Sequence, residues 1–312
     1  MEIRKRLTYP RSKNGTPEGA REREYIFFEV EYNHFRDVSR SEANEVIDRY
    51  EPRLCECVLC LPDSYAETGE KTPLILSCHG AGSRVSADEE LVGGLAYATS
   101  CVDAGYAVLD VCGSEPHGLT MGCPEHLFTL FKAYRYAVKH YNVTERIMVM
   151  GASMGGHVAM NFINTFPSIV LAAGLIYPRL HIDGITVDGH YCIGTWDKRM
   201  RRGDAPSTHD RIVEIYRFPS DEWCEENTVG FNPIHARTFV GADGKPAIIP
   251  PCPIKIWQGT ADETVDPVAV REFAESIRRA GCYVELHMLE GVGHKIVPVM
   301  RAELPIWFDR FI

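Results

Sequence analysis

The stretch Gly151-Ala152-Ser153-Met154-Gly155 decides how this sequence is interpreted. It follows the apolar run 146–150, which predicts a β-strand, and precedes the run 156–162, which predicts the start of a helix. On a sharp strand-to-helix turn, a serine hydroxyl is lifted out of the sheet beside a helix N-terminus that favours negative charge. The glycines at both ends of the stretch let strand and helix approach without Cβ clashes. We therefore predict that Ser153 is a nucleophile.

The composition is that of an ordinary globular chain. Its 312 residues, 45% hydrophobic and 24% charged, suffice for one large α/β domain with insertions or for two small domains. The net charge is −10, and the densest basic run, at 198–202, is flanked by Asp197 and Asp204. Nucleic acid is not an expected partner, because binding it needs a positive surface.

The N-terminus predicts where the chain resides. Residues 1–6, Met-Glu-Ile-Arg-Lys-Arg, are charged and lack the apolar stretch of a signal peptide. No run of apolar residues approaches the length of a membrane span. We expect a cytoplasmic protein without a membrane partner, and the sequence leaves its oligomeric state open.

Eleven cysteines are a high count, but the sequence favours no metal role for them. Without a secretion signal, disulfides are not the default interpretation. Cys57 and Cys60 have the spacing of half a zinc site, yet they lie within the extended apolar run 54–61, and no second pair matches them. We interpret them as buried strand thiols.

Short apolar strands alternate with helical patterns along most of the chain, which predicts an α/β fold with a mostly parallel central sheet flanked by helices. A polar N-terminal arm at 1–22 comes first, and two strands at 25–32 and 54–61 are expected to form an antiparallel edge. The later strands are predicted at 74–78, 106–112, 146–150, 170–177, 253–257 and 283–289, and the helices at 87–104, 125–141, 154–165, 267–280 and 297–311.

One interval breaks this alternation. About seventy residues separate two predicted strands, far more than a usual connection of about 2–6 residues. We interpret 178–252 as a cap inserted into the α/β domain 23–312, packing over one end of the sheet. Its aromatic residues Tyr191, Trp196 and Trp223 are candidate substrate contacts, and the alternative is that they pack an ordinary peripheral excursion.

Asp262 is the candidate acid. A serine needs a base within hydrogen-bond reach, and the base needs an orienting carboxylate. Asp262 lies just past the predicted strand 253–257, so its carboxylate falls at the sheet edge where Ser153 is expected. Of its neighbours, Glu263 is interpreted as exposed and Asp266 as the N-cap of the helix that follows.

His294 is the candidate base. It follows the last predicted strand in Glu290-Gly291-Val292-Gly293-His294, where two glycines free the loop to place an imidazole over the serine. His157 is closer to Ser153 in sequence. Its position four residues along the helix points it away from the nucleophile, so we interpret it as structural.

The turn after the strand 74–78 supplies the fourth element. It reads His79-Gly80-Ala81-Gly82, and a glycine-rich turn at that strand end can aim one backbone amide inward. A tetrahedral oxyanion needs two such donors, and the amide of Met154, which follows the nucleophile, supplies the other. The side chain of His79 is expected to be a structural hydrogen-bonding group.

The order Ser153, Asp262, His294, with the turn 79–82 upstream, resembles the α/β-hydrolase family over about 54–312 apart from the cap. Within that family the chain looks most like carboxylesterases and the catalytic domains of the prolyl oligopeptidase and dienelactone hydrolase groups. The resemblance implies that the oxyanion donors are the amides of Ala81 and Met154. Two features depart from family patterns: the turn is not the triple-glycine form, and dienelactone hydrolases use cysteine as nucleophile.

The expected function is therefore that of a serine hydrolase that cleaves carboxylic esters through an acyl-enzyme. No metal or organic cofactor is expected, and the expected partner is a small-molecule ester carrying a short or aromatic acyl group, such as acetyl or feruloyl groups on carbohydrate. A small peptidase or amidase of prolyl oligopeptidase-like type is the first alternative. The second is a catalytically inactive binding protein on the same fold.

Overall fold

The computed structural model describes residues 2–8, 21–35, 50–113, 120–182, 185–187, 190–192, 212–213, 215–216, 233 and 252–312. The strands are β1 (Ile3–Leu7), β2 (Arg23–Phe35), β3 (Tyr50–Cys60), β4 (Leu74–Cys78), β5 (Val85–Ser86), β6 (Leu91–Val92), β7 (Ala107–Val111), β8 (Ile147–Ala152), β9 (Val170–Ile176), β10 (Ile185–Val187), β11 (His190–Cys192), β12 (Ile254–Gly259) and β13 (Val284–Leu289). The helices are α1 (Thr99–Asp103), α2 (Pro124–His140), α3 (Met154–Thr165), α4 (Pro267–Arg279) and α5 (Pro298–Phe308), with 3₁₀ turns at Gly93–Tyr97, Pro167–Ile169 and Asp309–Phe311.

Nine of these strands form one sheet in the order β1-β2-β3-β7-β4-β8-β9-β12-β13. The six strands from β7 to β13 in this order are parallel to their neighbours. Strands β1, β2 and β3 are antiparallel, and β3 is also antiparallel to β7. The predicted parallel sheet with an antiparallel edge is confirmed.

Helices cover both faces of the sheet because successive strand side chains point to opposite faces. In β8, Ile147 and Val149 enter a core shared with α2, α3 and α4. The alternating residues Met148 and Met150 enter a second core, shared with α1 and α5. A strand buried on both faces reads as a continuous apolar run, which is why β4, β7 and β8 were recognisable in the sequence.

The expected single helix over 87–104 is wrong. The segment starts directly after β5, contains β6, which pairs antiparallel with β5, continues as a 3₁₀ turn and ends in the five-residue α1. Gly93 has φ +56°, and the backbone N–H of Gly94 donates to Asp110 Oδ2 at 2.9 Å instead of entering a helix. A Cβ at Gly94 would lie 2.8 Å from Ser77 Oγ, so this close approach requires glycine.

The expectation of a loose N-terminal arm also needs correction at residues 3–7, which form the edge strand β1. Its charged residues are held by the neighbouring strand: Arg4 pairs with Glu24 at 3.0 Å and Arg6 with Glu22 at 3.2 Å. An edge strand exposed on its outer side tolerates this polar composition, so its sequence lacks the apolar signal of the inner strands. The boundary between arm and domain stays a prediction.

Two smaller observations bear on function. Cys55, Cys57 and Cys60 are buried in β3, and none of the described residues form a group of three or more histidines, cysteines or carboxylates suited to a metal ion. Of the helices in the described ranges, none combines the length and apolar character needed to cross a membrane.

Candidate active site

The parallel strands bring the candidate residues to one edge of the sheet. Ser153 directly follows β8, Asp262 follows β12 and His294 follows β13. The turn 79–82 follows β4, which lies next to β8. In an open α/β sheet the carboxyl ends of the strands are where ligands bind, so this edge is the candidate active site.

Ser153 has an unusual backbone conformation, with φ 57° and ψ −121°. A residue with a side chain rarely adopts positive φ, and such strain persists only where the surroundings enforce it. The Ser153 N–H donates to Ile176 O at 3.0 Å, and its carbonyl accepts from the N–H groups of Gly156 and Arg179, each at 2.9 Å. Both backbone polar groups of the serine are therefore fixed.

Glycines make room for this turn. A Cβ at Gly151 would overlap the carbonyl of Gly155, and a Cβ at Gly155 would overlap the carbonyl of Cys78. Helix α3 thus starts in direct contact with the ends of both β4 and β8. The close approach predicted for strand and helix is present, and it extends to the neighbouring strand.

Ser153, His294 and Asp262 form a continuous hydrogen-bonded chain. His294 Nε2 lies 3.1 Å from Ser153 Oγ, and His294 Nδ1 lies 2.8 Å from Asp262 Oδ2 and 3.1 Å from Oδ1. Because an ionised carboxylate only accepts, Nδ1 carries the proton donated to Asp262 and Nε2 is left to accept from the serine hydroxyl. This is the tautomer that a general base needs.

The environment of Asp262 keeps it ionised. Its Oδ1 accepts from the backbone N–H groups of Thr264 and Val265, each at 2.9 Å, and Gln258 Nε2 donates to Oδ2 at 3.3 Å. Burial raises the pKa of this carboxyl, but the hydrogen bonds from His294 and the backbone amides outweigh it, so the pKa is lowered. Its neighbours behave as expected: Glu263 is exposed, and Asp266 caps α4 by accepting from Val268 N at 2.7 Å.

The loops that carry the acid and the base are joined by their backbones. The Ala261 N–H donates to Val292 O at 3.0 Å, and the Gly291 N–H donates to Thr260 Oγ1 at 2.9 Å. A Cβ at Gly259 would overlap the carbonyl of Val292, so the loops could not approach this closely with another residue there. The glycines expected to free the histidine loop are thus part of a fixed arrangement.

The turn 79–82 lies against the nucleophile. A Cβ placed on Gly80 would be 3.6 Å from the Cβ of Ser153, and the Ser83 N–H closes the turn on Gly80 O at 3.1 Å. Ala81 is exposed within this turn, and Met154 is the first residue of α3. Met154 thus directly follows Ser153, and Ala81 belongs to the turn whose Gly80 lies close to the serine.

His79 and Asp110 form a buried pair beneath the turn. The sequence indicated a structural role for His79 but did not indicate Asp110 as its partner. His79 Nδ1 lies 2.8 Å from Asp110 Oδ1, and both side chains are almost completely buried. Asp110 Oδ2 accepts from Gly94 N, so the carboxylate links the turn to the 3₁₀ segment. The missed signal was an aspartate inside the apolar run 107–111, because a buried carboxylate requires partners.

Tyr177 is a second residue that sequence reasoning missed. Its ring centroid lies 4.3 Å from that of His294, with 48° between the ring planes. No sequence pattern marks this contact, since it joins the ends of two strands, β9 and β13, that are far apart along the chain. His157, interpreted as structural, is fully buried in α3.

The cap is described only in part. Trp196 and Trp223 lie outside the described residues; Tyr191 belongs to β11, and its side chain lies outside the described part. Three buried residues of the interval, Ile182, Ile212 and Tyr216, belong to one apolar cluster with Met154, Met121 and Cys123. Part of the interval thus shares a buried cluster with Met154, which follows Ser153.

Comparison with solved structures identifies the fold. The chain superposes on S-formylglutathione hydrolase from Agrobacterium tumefaciens with a TM-score of 0.59 at 13% identity, covering 93% of this chain and 94% of that chain. It superposes on a hyperthermophilic esterase from Pyrobaculum calidifontis with a TM-score of 0.56 at 17% identity, covering 83% and 81%. The chain therefore has the predicted α/β-hydrolase fold.

Peptidases of the same fold are also similar, over part of their length. A puromycin-hydrolyzing peptidase from Mycobacterium tuberculosis superposes with a TM-score of 0.59 at 18% identity, covering 82% of this chain. The chain spans only 38% of that peptidase, and it spans 35% of a dipeptidyl aminopeptidase IV-like protein from Bacteroides ovatus. No protein-family model and no curated protein sequence matches the chain.

Proposed function

We propose that this protein is a serine hydrolase that cleaves carboxylic esters through an acyl-enzyme. The observation that carries the proposal is the hydrogen-bonded chain from Asp262 through His294 to Ser153, with links of 2.8 and 3.1 Å. Nucleophile, base and orienting acid are the three parts that acyl transfer by serine requires, and they are recognised by geometry and not by sequence position.

In the acylation step, Ser153 Oγ attacks the ester carbonyl while His294 Nε2 takes the hydroxyl proton. Asp262 stabilises the imidazolium that forms and holds the ring in the required tautomer. The carbonyl oxygen becomes an oxyanion, which the amides of Ala81 and Met154 bind. One such donor typically lowers the activation free energy by about 3 kcal/mol.

His294 then donates its proton to the departing alcohol, and Ser153 is left acylated. Water enters, loses a proton to His294 Nε2 and attacks the acyl carbon. Collapse of the second tetrahedral intermediate releases the acid and returns the proton to Ser153. Every step uses groups of this chain, so the proposed reaction needs no cofactor.

For the substrate we propose a short or aromatic acyl group, such as acetyl or feruloyl, esterified to a carbohydrate or another polar alcohol. Tyr191, Trp196 and Trp223 of the cap are the proposed substrate contacts. Similarity to an esterase and an S-formylglutathione hydrolase over most of both chains supports hydrolysis of an ester. A peptidase or amidase is the second candidate, favoured by the similarity to peptidases, which covers less than half of their length.

Hydrolysis of p-nitrophenyl esters from acetate to laurate, methyl ferulate and aminoacyl anilides tests the proposal. We expect turnover of the acetate or the ferulate, with a fall in kcat of at least about 10³-fold in Ser153→Ala. Ser168→Ala is the matched control, because Ser168 is exposed at the opposite end of α3 and should leave the rate unchanged. A preference for the anilides would show that the protein is an amidase and not an esterase. Activity retained in Ser153→Ala would overturn both the esterase and the amidase proposals.

A further inference from the structure

The backbone at the end of β9 is held in an unusual conformation. Tyr177 has φ 35°, in the left-handed region that bulky residues rarely occupy. Its N–H donates to Trp257 O at 2.7 Å, which ties it to the neighbouring strand β12. Strain of this kind in a residue with a large side chain points to a local requirement for that side chain's position.

Residues 176–179, here called the β9 exit segment, also hold the nucleophile. Ile176 O accepts from the Ser153 N–H, and the Arg179 N–H donates to Ser153 O. Pro178 lies against Gly156, where a Cβ would overlap the proline ring. The same four residues therefore fix the serine backbone from the side of β9 and present Tyr177 at the sheet edge.

The ring of Tyr177 restrains the imidazole of His294 in a direction in which the hydrogen bonds of His294 restrain it less. Hydrogen bonds at ring nitrogens act in the plane of the imidazole, so those at Nδ1 and Nε2 resist displacement within that plane more than displacement out of it. With its centroid 4.3 Å from the imidazole centroid, the Tyr177 ring limits displacement of the imidazole toward that side.

We propose that Tyr177 is a positioning residue for His294, and that the β9 exit segment sets nucleophile and base relative to each other as one unit. This inference rests on the proposed function, because it assigns a role within the same site. The proposed role requires an aromatic ring at position 177. The phenol oxygen is not required, and burial raises the pKa of the phenol, so that it stays neutral at ordinary pH.

The experiment compares Tyr177→Phe, which keeps the ring, with Tyr177→Leu, which removes it. Two quantities are measured: the rate at which a fluorophosphonate labels Ser153, and kcat and KM on the best ester. We expect Tyr177→Phe to stay within about threefold of wild type. In Tyr177→Leu the labelling rate and kcat should fall roughly 10–100-fold with KM nearly unchanged, since misplacement by about 1 Å can lower a rate by about 10²-fold.

Tyr106→Leu is the matched control for loss of a buried tyrosine ring. Tyr106 is fully buried, precedes β7 at the opposite end of the sheet, and its hydroxyl donates to Asp309 at 2.6 Å. This variant should melt at a lower temperature and still be labelled at the wild-type rate. If Tyr177→Leu does not fold, Tyr177→Met replaces it, because the flexible methionine side chain fills irregular gaps.

Two results would overturn the inference while leaving the proposed function intact. One is wild-type labelling of a folded variant that lacks the ring. The other is a loss in Tyr177→Phe as large as that in Tyr177→Leu, which would assign the effect to the hydroxyl. Failure of the proposed function is distinguishable, because the wild-type protein would then resist labelling; that result would overturn the inference as well.

Discussion

At the scale of single residues, the site depends on how Asp262 is held. Four hydrogen bonds reach its carboxylate from three sides, from a backbone turn, from Gln258 and from His294. These bonds lower its pKa against the effect of burial, so the side chain remains an acceptor wherever His294 is a neutral base. Removing the charge while keeping the shape therefore tests the role of the acid directly.

We expect Asp262→Asn to lower kcat by roughly 10³–10⁴-fold, because an amide can donate to Nδ1 and so favour the wrong imidazole tautomer. The measurement is kcat on the best ester substrate, together with a thermal melt to show that the variant is folded. Glu263→Gln is the control, since this neighbouring carboxylate is exposed and should be neutral to activity. Equal losses in both variants would contradict the assignment of Asp262.

Three residues of the candidate site could be predicted from sequence, whereas Asp110 and Tyr177 could not. Ser153, Asp262 and His294 each follow a recognisable apolar strand, so the topology of a parallel sheet brings them to one edge. Asp110 lies within a strand, opposite Ser77 in the register, and its pairing with His79 depends on how β4 and β7 align. The contact of Tyr177 with His294 depends on a left-handed backbone conformation at Tyr177, which the residue propensities of the sequence do not predict.

At the scale of elements, Glu303 connects helix α5 to the sheet. Its Oε2 accepts from Trp257 Nε1 at 2.7 Å and from Lys255 at 3.0 Å, both on β12, and lies 3.2 Å from His287 Nδ1 on β13. Burial raises the pKa of Glu303, but these three hydrogen bonds outweigh it and lower the pKa to about 2. The carboxylate thus ties helix α5 to strands β12 and β13.

Glu303→Gln should lower the free energy of unfolding at pH 7 by roughly 1–2 kcal/mol, after allowance for screening by solvent. A carboxyl whose pKa is lowered by folding stabilises the protein above its unfolded pKa of about 4.3, and this contribution is lost as the pH falls toward 2. Urea unfolding should therefore show a difference between wild type and variant at pH 7 that shrinks below about pH 4.

A glutamate in an exposed ion pair serves as the control for this prediction. Glu275 lies 3.8 Å from Arg279 on the surface of α4, where such a pair contributes little. Glu275→Gln should change the free energy of unfolding by less than about 0.5 kcal/mol at either pH. A similar loss in the two variants would mean that the contacts of Glu303 add nothing beyond its charge.

The one helix that was predicted and is absent shows why element boundaries are harder to predict than strand ends. The segment 87–104 has apolar residues at helical spacing, yet its middle is a 3₁₀ turn. The buried carboxylate of Asp110 takes up the Gly94 N–H, and this tertiary hydrogen bond outweighs local preference. Short-range pattern alone contains no information about a partner sixteen residues away.

At the scale of the whole molecule, β1 protects one edge of the nine-stranded sheet. Its outer side carries charge, and Glu2 accepts hydrogen bonds from Tyr136 and Tyr141, which anchors the strand to the end of α2. Charged edge strands discourage pairing between molecules. The candidate active site lies on the far side of β2, β3 and β7 in the strand order.

Deletion of residues 1–8 should leave ester hydrolysis per folded molecule within about twofold of wild type and increase self-association, because β2 would become an unprotected edge. Light scattering after size-exclusion chromatography measures the association. The double substitution Arg4→Ala and Arg6→Ala keeps the strand and the charge of Lys5 while removing two ion pairs, and it should self-associate less than the deletion variant does. If the deletion elutes like the wild type, β1 has no protective role.

The left-handed backbone conformation of Ser153 means that the residue needed for activity is not the residue that gives the highest stability at this position. Glycine adopts φ 57° without strain, whereas alanine there would lose the hydroxyl and keep the strain. Relief of strain of about 1–3 kcal/mol exceeds the entropy of about 0.4–1 kcal/mol that glycine adds to the unfolded chain. Ser153→Gly should therefore be inactive and should melt at a higher temperature than both wild type and Ser153→Ala. A descendant of this chain that no longer needed hydrolytic activity would thus become more stable by replacing Ser153 with glycine.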